Sequence, residues 1–308
     1  MTSDSRWSVE RPRNSAAAEA LITGAFPELR GLTVRPLAEG WDNSVYDVGG
    51  RWAFRFPRRA VALPGFRREL AVLPRLEELL PLPIPVPEWV SDDGDPGDPW
   101  PFAGARLLPG RELAETGMSD DSRLPTARAM AEFLRALHGL RPEAIADTAS
   151  LSPDPLHRGW PQPRMADTRR QLDRLVAAGT WSGDPDVDTL LTRAEQLDAP
   201  TGQAVVVHGD LHVRHLLLDG AGHAQGVIDW GDLCLADPSV DLALAYTAFT
   251  GAARVAFLDA YGDVRPEREL RARALGVRLS ALLAGYAAVE GHSALLAEAL
   301  DGLRRVVE

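Results

Sequence analysis

Apolar and polar positions alternate at short intervals in the N-terminal part of the chain, a pattern that predicts β-strands. Residues 34–48 read as two strands joined by a polar turn at residues 40–44. Gly49 and Gly50 supply a hairpin turn into residues 51–56, where polar and apolar side chains alternate as in a third strand. The pattern therefore predicts a β-rich segment, which a short alanine-rich helix precedes.

A helix and a further strand follow, separated by stiff and turn-rich segments. Leucines at helical spacing predict a helix over residues 65–80, with Pro74 as a kink or a restart. The proline-rich residues 81–87 are expected to be extended, and residues 92–99 to form a loop. Residues 102–108 predict a strand that completes a small β-rich lobe.

Beyond Pro109 and Gly110 the apolar positions recur with a helical period. The clearest helix covers residues 126–140, and His138 in its last turn is expected to interact with the helix dipole. Further helices are predicted at residues 167–178 and 186–197, both exposed, at residues 239–249, and within residues 265–307. The chain is thus predicted to combine a small β-rich lobe with a larger helical lobe.

Composition limits the class of protein. The chain has 308 residues, of which 45% are apolar and 25% are charged, as in ordinary soluble globular proteins. It lacks an apolar run of about 18 residues and an N-terminal hydrophobic segment, so we expect neither a membrane partner nor a secretory signal. The single cysteine, Cys234, excludes an internal disulfide and fits a reducing cytoplasm. A monomer is expected.

The charge distribution argues against nucleic acid as a partner. The net charge is −11, whereas binding to a nucleic acid backbone requires a basic surface. The acidic surplus favours a cationic ligand only weakly, because acidic solvated surfaces are common. Seven arginines and one acid, Glu69, lie between Arg51 and Arg75. Because the chain contains no lysine, any side-chain cation that holds phosphates here must be an arginine.

The candidate chemistry is concentrated in one stretch of the second half. An apolar run delivers His208, Gly209 and Asp210, and His215 follows five residues after Asp210. A second apolar run delivers Asp229. A carboxylate base and two magnesium ligands are the parts that phosphoryl transfer needs. Alone, each residue is most often a turn residue, a helix cap or a structural histidine, but the joint pattern favours a kinase-like site.

This spacing resembles that of the aminoglycoside and macrolide phosphotransferases, antibiotic kinases that share the protein-kinase fold. Their signature reads roughly His-Gly-Asp, four residues, Asn or His, a short hairpin, then Ile-Asp-Trp or Ile-Asp-Phe. Here it reads His208-Gly209-Asp210, His215 and Ile228-Asp229-Trp230. The resemblance implies an α+β, two-lobe fold, with a nucleotide-binding lobe over residues 1–108. Residues 109–308 would form a helical lobe with the catalytic loop, the metal site and the substrate pocket.

The resemblance also implies roles for the residues of the signature. Asp210 is the base that accepts the proton of a substrate hydroxyl, and His215 and Asp229 hold Mg²⁺. Magnesium prefers oxygen ligands, so His215 departs from the asparagine of aminoglycoside 3′-kinases and could instead contact phosphate or position Asp210. Macrolide 2′-kinases and aminoglycoside 2″-kinases share this histidine and resemble enzymes that prefer GTP, so GTP is expected over ATP. Asp241 and His208 are expected to anchor the catalytic loop.

The N-terminal lobe matches the same family at fewer positions. In the macrolide kinases and their relatives the third strand ends in Arg-x-Pro-Arg, and residues 55–58 match this pattern. Arg55 then replaces the phosphate-binding lysine of protein kinases, with Glu69 as its expected partner. Ser44 and nearby backbone N–H groups are expected to reach phosphate oxygens. The purine ring is expected to meet backbone groups of Arg106, Leu107 and Leu108.

These roles predict a kinase that transfers the γ-phosphate of GTP, or of ATP, to the 2′-hydroxyl of a macrolide and so confers macrolide resistance. The alternatives are an aminoglycoside kinase and a kinase of another small hydroxylated metabolite. Residues 151–181, expected to line the acceptor pocket, slightly favour an apolar ligand. They carry Leu156, Trp160, Met165 and Trp181 against Asp154, Asp167 and Asp173. One of these acids, or Asp232, is expected to bind the ammonium group of a macrolide sugar.

Two other classes of protein fit the sequence less well. A non-catalytic nucleotide-binding scaffold would be expected to lack Asp210 or Asp229, and both are present. A kinase with a protein substrate would be expected to carry an activation segment after Trp230, and the chain instead runs within a few residues into the next helix.

Overall fold

The structure, a computed structural model, describes residues 9–40, 42–92, 100–145 and 151–308. Trp41 of the predicted polar turn and residues 93–99 of the predicted loop lie outside these ranges. The chain divides into two compact units, Met1–Glu77 with Ile84–Leu108, and Glu78–Pro83 with Pro109–Glu308. The predicted lobes, 1–108 and 109–308, differ from this division only in residues 78–83, which belong to the second unit. There the Pro83 carbonyl accepts a hydrogen bond from Val227 N–H of the second unit.

The first unit is built on an antiparallel sheet of five strands. These are β1 (Val34–Glu39), β2 (Asn43–Val48), β3 (Trp52–Pro57), β4 (Pro87–Ser91) and β5 (Phe102–Arg106). Their order across the sheet is β1-β2-β3-β5-β4, and the helices of this unit are α1 (Ser15–Ala25) and α2 (Leu63–Leu76). The sequence pattern did not predict β4, because this edge strand begins inside the proline-rich run and pairs with β5 alone.

Aromatic packing holds the first sheet together. Gly49 and Gly50 form the β2–β3 turn with φ of +65° and +68°, a conformation that favours glycine. Phe54 and Phe56 of β3 are fully buried, and Phe56 stacks on Phe102 with ring centroids 4.8 Å apart. A Cβ at Gly104 of β5 would lie 2.5 Å from the Phe54 ring, so this strand needs a residue without a side chain there.

The second unit contains two small sheets and most of the helices. Its strands are β6 (Arg111–Glu112), β7 (Val205–Val207), β8 (Leu216–Leu218), β9 (Ala224–Val227) and β10 (Cys234–Ala236). β10 pairs with β7, and the other three lie in the order β6-β8-β9. Its helices are α3 (Leu113–Thr116), α4 (Leu124–His138), α5 (Pro142–Ile145), α6 (Met165–Ala177), α7 (Pro185–Ala194), α8 (Ser239–Thr247), α9 (Gly251–Tyr261), α10 (Pro266–Glu290) and α11 (Ser293–Arg305).

Helix α8 lies at the centre of this unit. All nine of its residues are buried, because α9, α10 and α11 all pack against it. The helices α6 and α7, predicted to be exposed, each bury one apolar face, which includes Leu172 and Leu191. The prediction of exposure was therefore wrong on those faces, where the helices pack against α10.

Helix α10, with 25 residues, is the longest helix in the described part of the chain. By length and composition it could cross a membrane, although half of its most apolar stretch is buried inside the protein. It also carries Arg271, which is 2% exposed, and it packs against α6, α7, α8 and α11. These contacts are those of a helix in the core of a helical unit. Its apolar character is an average over the helix rather than an uninterrupted run.

Candidate active site

A strand and a sharp turn position the candidate catalytic loop. The strand β7 is followed directly by His208, Gly209 and Asp210. Gly209 has φ of +90°, and a Cβ on it would lie 2.1 Å from the carbonyl oxygen of Asp232. Only glycine fits this position, because any side chain would collide with rigid backbone as well as strain the turn. The turn presents Asp210 at the end of the strand.

The carboxylate of Asp241, in the first turn of α8, holds this loop. Its oxygens accept hydrogen bonds from the backbone N–H of His208 at 2.8 Å and of Gly209 at 3.0 Å. His138 Nε2 lies 3.2 Å from the same carboxylate. Burial alone would raise the pKa of Asp241, but the hydrogen bond and charge of His138, the charge of His208 and the Gly209 N–H together lower it. The predicted anchoring role of Asp241 is confirmed.

Two histidines predicted from the sequence have defined structural partners. His208 Nε2 donates to the Ile228 carbonyl oxygen at 3.0 Å, so this ring ties the catalytic loop to the segment after β9, as predicted. His138 lies in the last turn of α4, as predicted, and it also has specific side-chain partners there. Its Nδ1 lies 2.8 Å from the Tyr261 hydroxyl, and its Nε2 faces Asp241. Sequence spacing could not reveal these partners, because they lie 123 and 103 residues away.

Asp210 occupies an environment that suits a proton acceptor. Its side chain is recessed among other charged groups, yet 35% of its surface stays exposed. Burial, followed by the charges of Asp232 and Asp229, raises the pKa of Asp210 well above its ordinary value, and Arg158 partly opposes this shift. A carboxylate with a raised pKa is a stronger base, and general bases work best when their pKa approaches the operating pH.

His215 and Asp229 lie side by side, as the predicted metal pair requires. His215 Nε2 is 3.4 Å from Asp229 Oδ2, and His215 Nδ1 donates to the Asp210 carbonyl oxygen at 2.7 Å. Burial is the largest cause that lowers the pKa of His215, to about 4, so the ring is neutral at physiological pH. A neutral ring with its proton on Nδ1 presents a lone pair on Nε2 toward Asp229.

The backbone of Asp229 is strained. Its φ is +65°, and among the described residues other than glycine only His157 shares a positive φ. Such a conformation costs on the order of 1–3 kcal/mol and is found mostly where a site requires it. The Ile228 N–H donates to the His215 carbonyl oxygen at 2.9 Å, which fixes the strand before the turn. Asp229 is thereby held beside His215 with half of its side chain exposed.

Sequence reasoning missed two residues next to Asp210. Arg158 forms an ion pair with Asp232 at 2.6 Å and with Asp154 at 3.3 Å, and it lies near enough to Asp210 to influence its pKa. His212 Nε2 lies 3.7 Å from Asp210 Oδ2. His212 belongs to the loop itself and was left without a role. Arg158 arrives through an irregular segment whose backbone bonds to β10 at Leu235, a contact without a sequence signal.

In the first unit the structure brings Arg55 and Glu69 together. Arg55 of β3 and Glu69 of α2 form a bidentate pair, in which one of the two contacts measures 3.2 Å. The side chains are 16% and 4% exposed. They line a small cavity that continues along Ala53, Ala103 and Ala105. The expected ion pair is thus present, while its role toward phosphate remains a prediction.

The other nucleotide-binding predictions for this unit concern less accessible groups. Ser44 lies within β2 rather than in the turn, and it is only 6% exposed. The Leu107 N–H donates to the Arg51 carbonyl oxygen at 2.9 Å and is therefore already used. Arg106 is exposed and pairs with Glu88 at 2.9 Å, and Leu108 follows as the last residue of the unit. Contacts of these groups with a nucleotide remain predictions.

Comparison with known proteins identifies the family. Residues 33–299 match the profile of the phosphotransferase enzyme family. Because the match spans most of the chain, the protein belongs to this family, as the signature predicted. An aminoglycoside 3′-phosphotransferase of Streptomyces fradiae is 34% identical over 212 residues, which are 63% of this chain and 73% of that protein.

Solved structures with the same fold include an aminoglycoside phosphotransferase and a macrolide phosphotransferase. The GDP complex of aminoglycoside 2′-phosphotransferase-IIIa has a TM-score of 0.68 at 21% identity, over 96% of this chain and 99% of that one. The macrolide 2′-phosphotransferase MphH of Brachybacterium faecium has a TM-score of 0.60 at 24% identity, over 92% of this chain and 98% of that one. At these identities the likeness concerns the fold, and it confirms the α+β, kinase-like class.

The buried ion pair gives a first testable prediction. Arg55→Ala and Glu69→Ala should each lower the free energy of unfolding in urea, because each breaks a bidentate ion pair that is largely shielded from solvent. Their effects should be less than additive in the double variant, with a coupling of about 0.5–3 kcal/mol. The exposed pair Arg106–Glu88 is the matched control and should couple by less than about 1 kcal/mol. Strict additivity for Arg55 and Glu69 would contradict the pairing.

Proposed function

We propose that this phosphotransferase-family protein is an antibiotic kinase that phosphorylates the 2′-hydroxyl of a macrolide. The observation that carries the catalytic part is the grouping, on one unit, of a base with a raised pKa and a carboxylate–imidazole pair. His215 contacts both Asp210 and Asp229, which ties the three groups to one another. A monomer in the cytoplasm, as expected from the sequence, is part of the proposal.

The proposed reaction is an in-line transfer of one phosphoryl group. Asp210 accepts the proton of the acceptor hydroxyl while that oxygen forms a bond to the γ-phosphorus. The bond between the γ-phosphorus and the β–γ bridging oxygen breaks, and its electron pair leaves with the nucleoside diphosphate. Little covalent chemistry falls to the protein, so catalysis rests on positioning and on stabilisation of charge. The anchored loop supplies the positioning of Asp210.

The ligand atoms available at the proposed metal site fit Mg²⁺. Asp229 offers carboxylate oxygens of the kind that Mg²⁺ prefers, and the nearby Asp210 offers two more. The single nitrogen, His215 Nε2, can complete such a set or contact a phosphate oxygen through water. When bound, Mg²⁺ would neutralise charge on the transferred phosphate. Asp229 would hold the ion, and its strained backbone keeps the carboxylate directed at one place.

Arg55 is proposed to bind the nucleotide phosphates. Its guanidinium can span two phosphate oxygens, where a lysine would act as a point charge. The bidentate contact with Glu69 fixes the orientation of the Arg55 guanidinium. Ala53, Ala103 and Ala105 line the adjoining cavity, and their small side chains leave room for the flat purine ring of the nucleotide. Ser44 and the backbone of Arg106–Leu108 are proposed as secondary contacts.

The pairing of acids on the acceptor side supports a weakly charged acceptor. Asp154 and Asp232 share Arg158. Asp167 pairs with Arg278 at 2.8 Å, and this hydrogen bond is the first cause that lowers its pKa. An aminoglycoside carries several positive charges and needs several available carboxylates. The observed pairing leaves fewer of them, which favours a macrolide with its single ammonium.

The apolar residues expected in the pocket do not all suit that role. Met165 is 4% exposed and faces the interior, so its expected contact with a ligand is withdrawn. Trp160 and Trp181 are half-buried, and Trp160 Nε1 donates to the Leu197 carbonyl oxygen at 3.2 Å. Leu156 is 48% exposed. These three side chains remain the candidates for contact with an apolar ring.

An acceptor panel tests the proposal. Each acceptor is incubated with enzyme and Mg²⁺, once with GTP and once with ATP. The acceptors are macrolides of different ring size, kanamycin and gentamicin. Mass spectrometry should show one added phosphate on macrolides. Asp210→Asn is the matched control, because it keeps the shape of the side chain without the base, and its turnover should fall by roughly 10²-fold or more.

An aminoglycoside is the second candidate acceptor. It is favoured by the relative from S. fradiae, an aminoglycoside 3′-phosphotransferase with 34% identity. Phosphorylation of kanamycin or gentamicin, without phosphorylation of any macrolide, would establish this alternative and refute the macrolide assignment. Wild-type turnover in Asp210→Asn would refute the assigned base for either acceptor.

The proposed phosphate donor is GTP in preference to ATP. His215 in place of asparagine supports this choice, as does the GDP complex of the structurally similar 2′-phosphotransferase-IIIa. Competition between the two nucleotides at equal concentration, with the accepted antibiotic, should give more GDP than ADP. A kcat/KM for ATP equal to or above that for GTP would reject the preference.

A further inference from the structure

His212 has no part in the proposed reaction, yet it lies against the groups that do. Its ring stacks on that of His215, with centroids 3.8 Å apart and planes inclined by 31°. Its Nε2 lies 3.7 Å from Asp210 Oδ2. Both histidines are 8% exposed, so two imidazole rings and a carboxylate share one recessed place.

The spacing of these groups matches a metal site with nitrogen ligands. One ligand atom from each of Asp210, His212 and His215 lies within 4.8 Å of the others. Four-coordinate zinc, with bonds of about 2.0–2.1 Å to nitrogen and oxygen, places its ligands about 3.3 Å apart. Side-chain rotations that bring the ligand atoms at most about 1.5 Å closer together would give this spacing. We propose that Asp210, His212 and His215 bind Zn²⁺ or a similar nitrogen-preferring divalent metal, and that this metal blocks the catalytic base.

The hydrogen bonds of His215 favour this role. A carbonyl oxygen can only accept, so the 2.7 Å contact to the Asp210 carbonyl places the ring proton of neutral His215 on Nδ1. The lone pair is therefore on Nε2. Metal-binding histidines usually donate their other N–H to a carbonyl or carboxylate, which fixes the ring orientation. His215 already has this arrangement.

His212 needs a smaller adjustment. The Arg214 N–H approaches its Nδ1 at 3.3 Å, a long hydrogen bond that places the ring proton on Nε2. Coordination through Nε2 would move this proton to Nδ1 and give up that bond. The bond is near the outer limit of distance, so little stabilisation is lost. The exposed 35% of the Asp210 side chain leaves a route for the ion.

The proposed site would discriminate between metals. Imidazole ligands suit zinc, copper and nickel, whereas magnesium prefers oxygen. The inhibitory effect rests on the proposed function, because it arises from capture of Asp210 as a ligand. Metal binding itself does not depend on that function. A metal ion bound by both imidazoles and by Asp210 would therefore inhibit turnover at concentrations at which Mg²⁺ supports it.

Direct binding measurements test the site without turnover. Calorimetric titration of wild type with Zn²⁺ in excess Mg²⁺ should show one tight site, and Co²⁺ should give the visible absorption of a four-coordinate nitrogen–oxygen site. Loss of even an outer-sphere partner lowers metal affinity by about 10–100-fold, so His212→Gln and Asp210→Asn should each weaken Zn²⁺ binding at least about tenfold. His223→Gln is the control, since this exposed histidine pairs with Asp219 away from the site. Circular dichroism checks the fold of each variant.

The outcomes separate this inference from the proposed function. Equal Zn²⁺ affinity in wild type and in both folded ligand variants would overturn the site, as would loss of affinity in His223→Gln alone. Zinc should inhibit wild type, and His212→Gln should need a higher zinc concentration for half-inhibition of its own zinc-free rate. If no acceptor is phosphorylated but Zn²⁺ binds as described, the proposed function fails and the metal site stands. Turnover that is insensitive to zinc at concentrations that saturate the site overturns the inhibitory effect instead.

Discussion

The geometry of the candidate site depends on one buried carboxylate, that of Asp241. A buried charge is tolerated only when its oxygens are satisfied, and here two backbone N–H groups of the catalytic loop and His138 do so. Its position in the first turn of α8 is favourable for a negative charge. Because α8 is wholly buried, the loop cannot shift without disturbing the core of the unit. The position of Asp210 therefore depends on the packing of α8 in the core of the unit.

Around this fixed loop, two features adjust the chemistry. Asp229 has a strained backbone, and its carboxylate together with that of Asp232 raises the pKa of Asp210. Arg158 opposes that shift and also pairs with Asp154 and Asp232. The neighbouring acids and Arg158 thus act in opposite directions on the pKa of Asp210. This balance explains why a cation and several acids lie within one small region.

The absence of lysine shapes both units of the molecule. Arginine keeps its charge in buried positions and can bind a carboxylate with two hydrogen bonds, as Arg55 does with Glu69. In the second unit Arg123 and Arg305 are each 1% exposed and both contact Glu298, which joins α11 to the rest of the unit. The net charge of −11 therefore says little about the acceptor, because the acids nearest the site have arginine partners.

Local sequence patterns predicted much of the fold and the residues of the signature from His208 to Asp229. The strands β1, β2, β3 and β5 and most helices follow from the spacing of apolar residues, and the loop from His208 to Asp229 is a contiguous signature. The residues that were missed depend on distant contacts. Arg158 and Asp232 are 74 positions apart in the sequence, and His138 and Asp241 are 103 positions apart. Edge strand β4 was missed because proline masks its alternation. Such features depend on tertiary packing, which local spacing does not encode.

The role of Asp229 as a magnesium ligand is tested most directly by the metal dependence of nucleotide binding. GTP or its non-hydrolysable analogue is titrated into wild type and Asp229→Asn, each with and without Mg²⁺, by calorimetry. Asparagine tolerates the left-handed backbone of this position, so the fold should persist while the charge is lost. Mg²⁺ should tighten nucleotide binding to wild type and should have little effect on binding to the variant. Equal magnesium dependence in the two proteins would contradict that role.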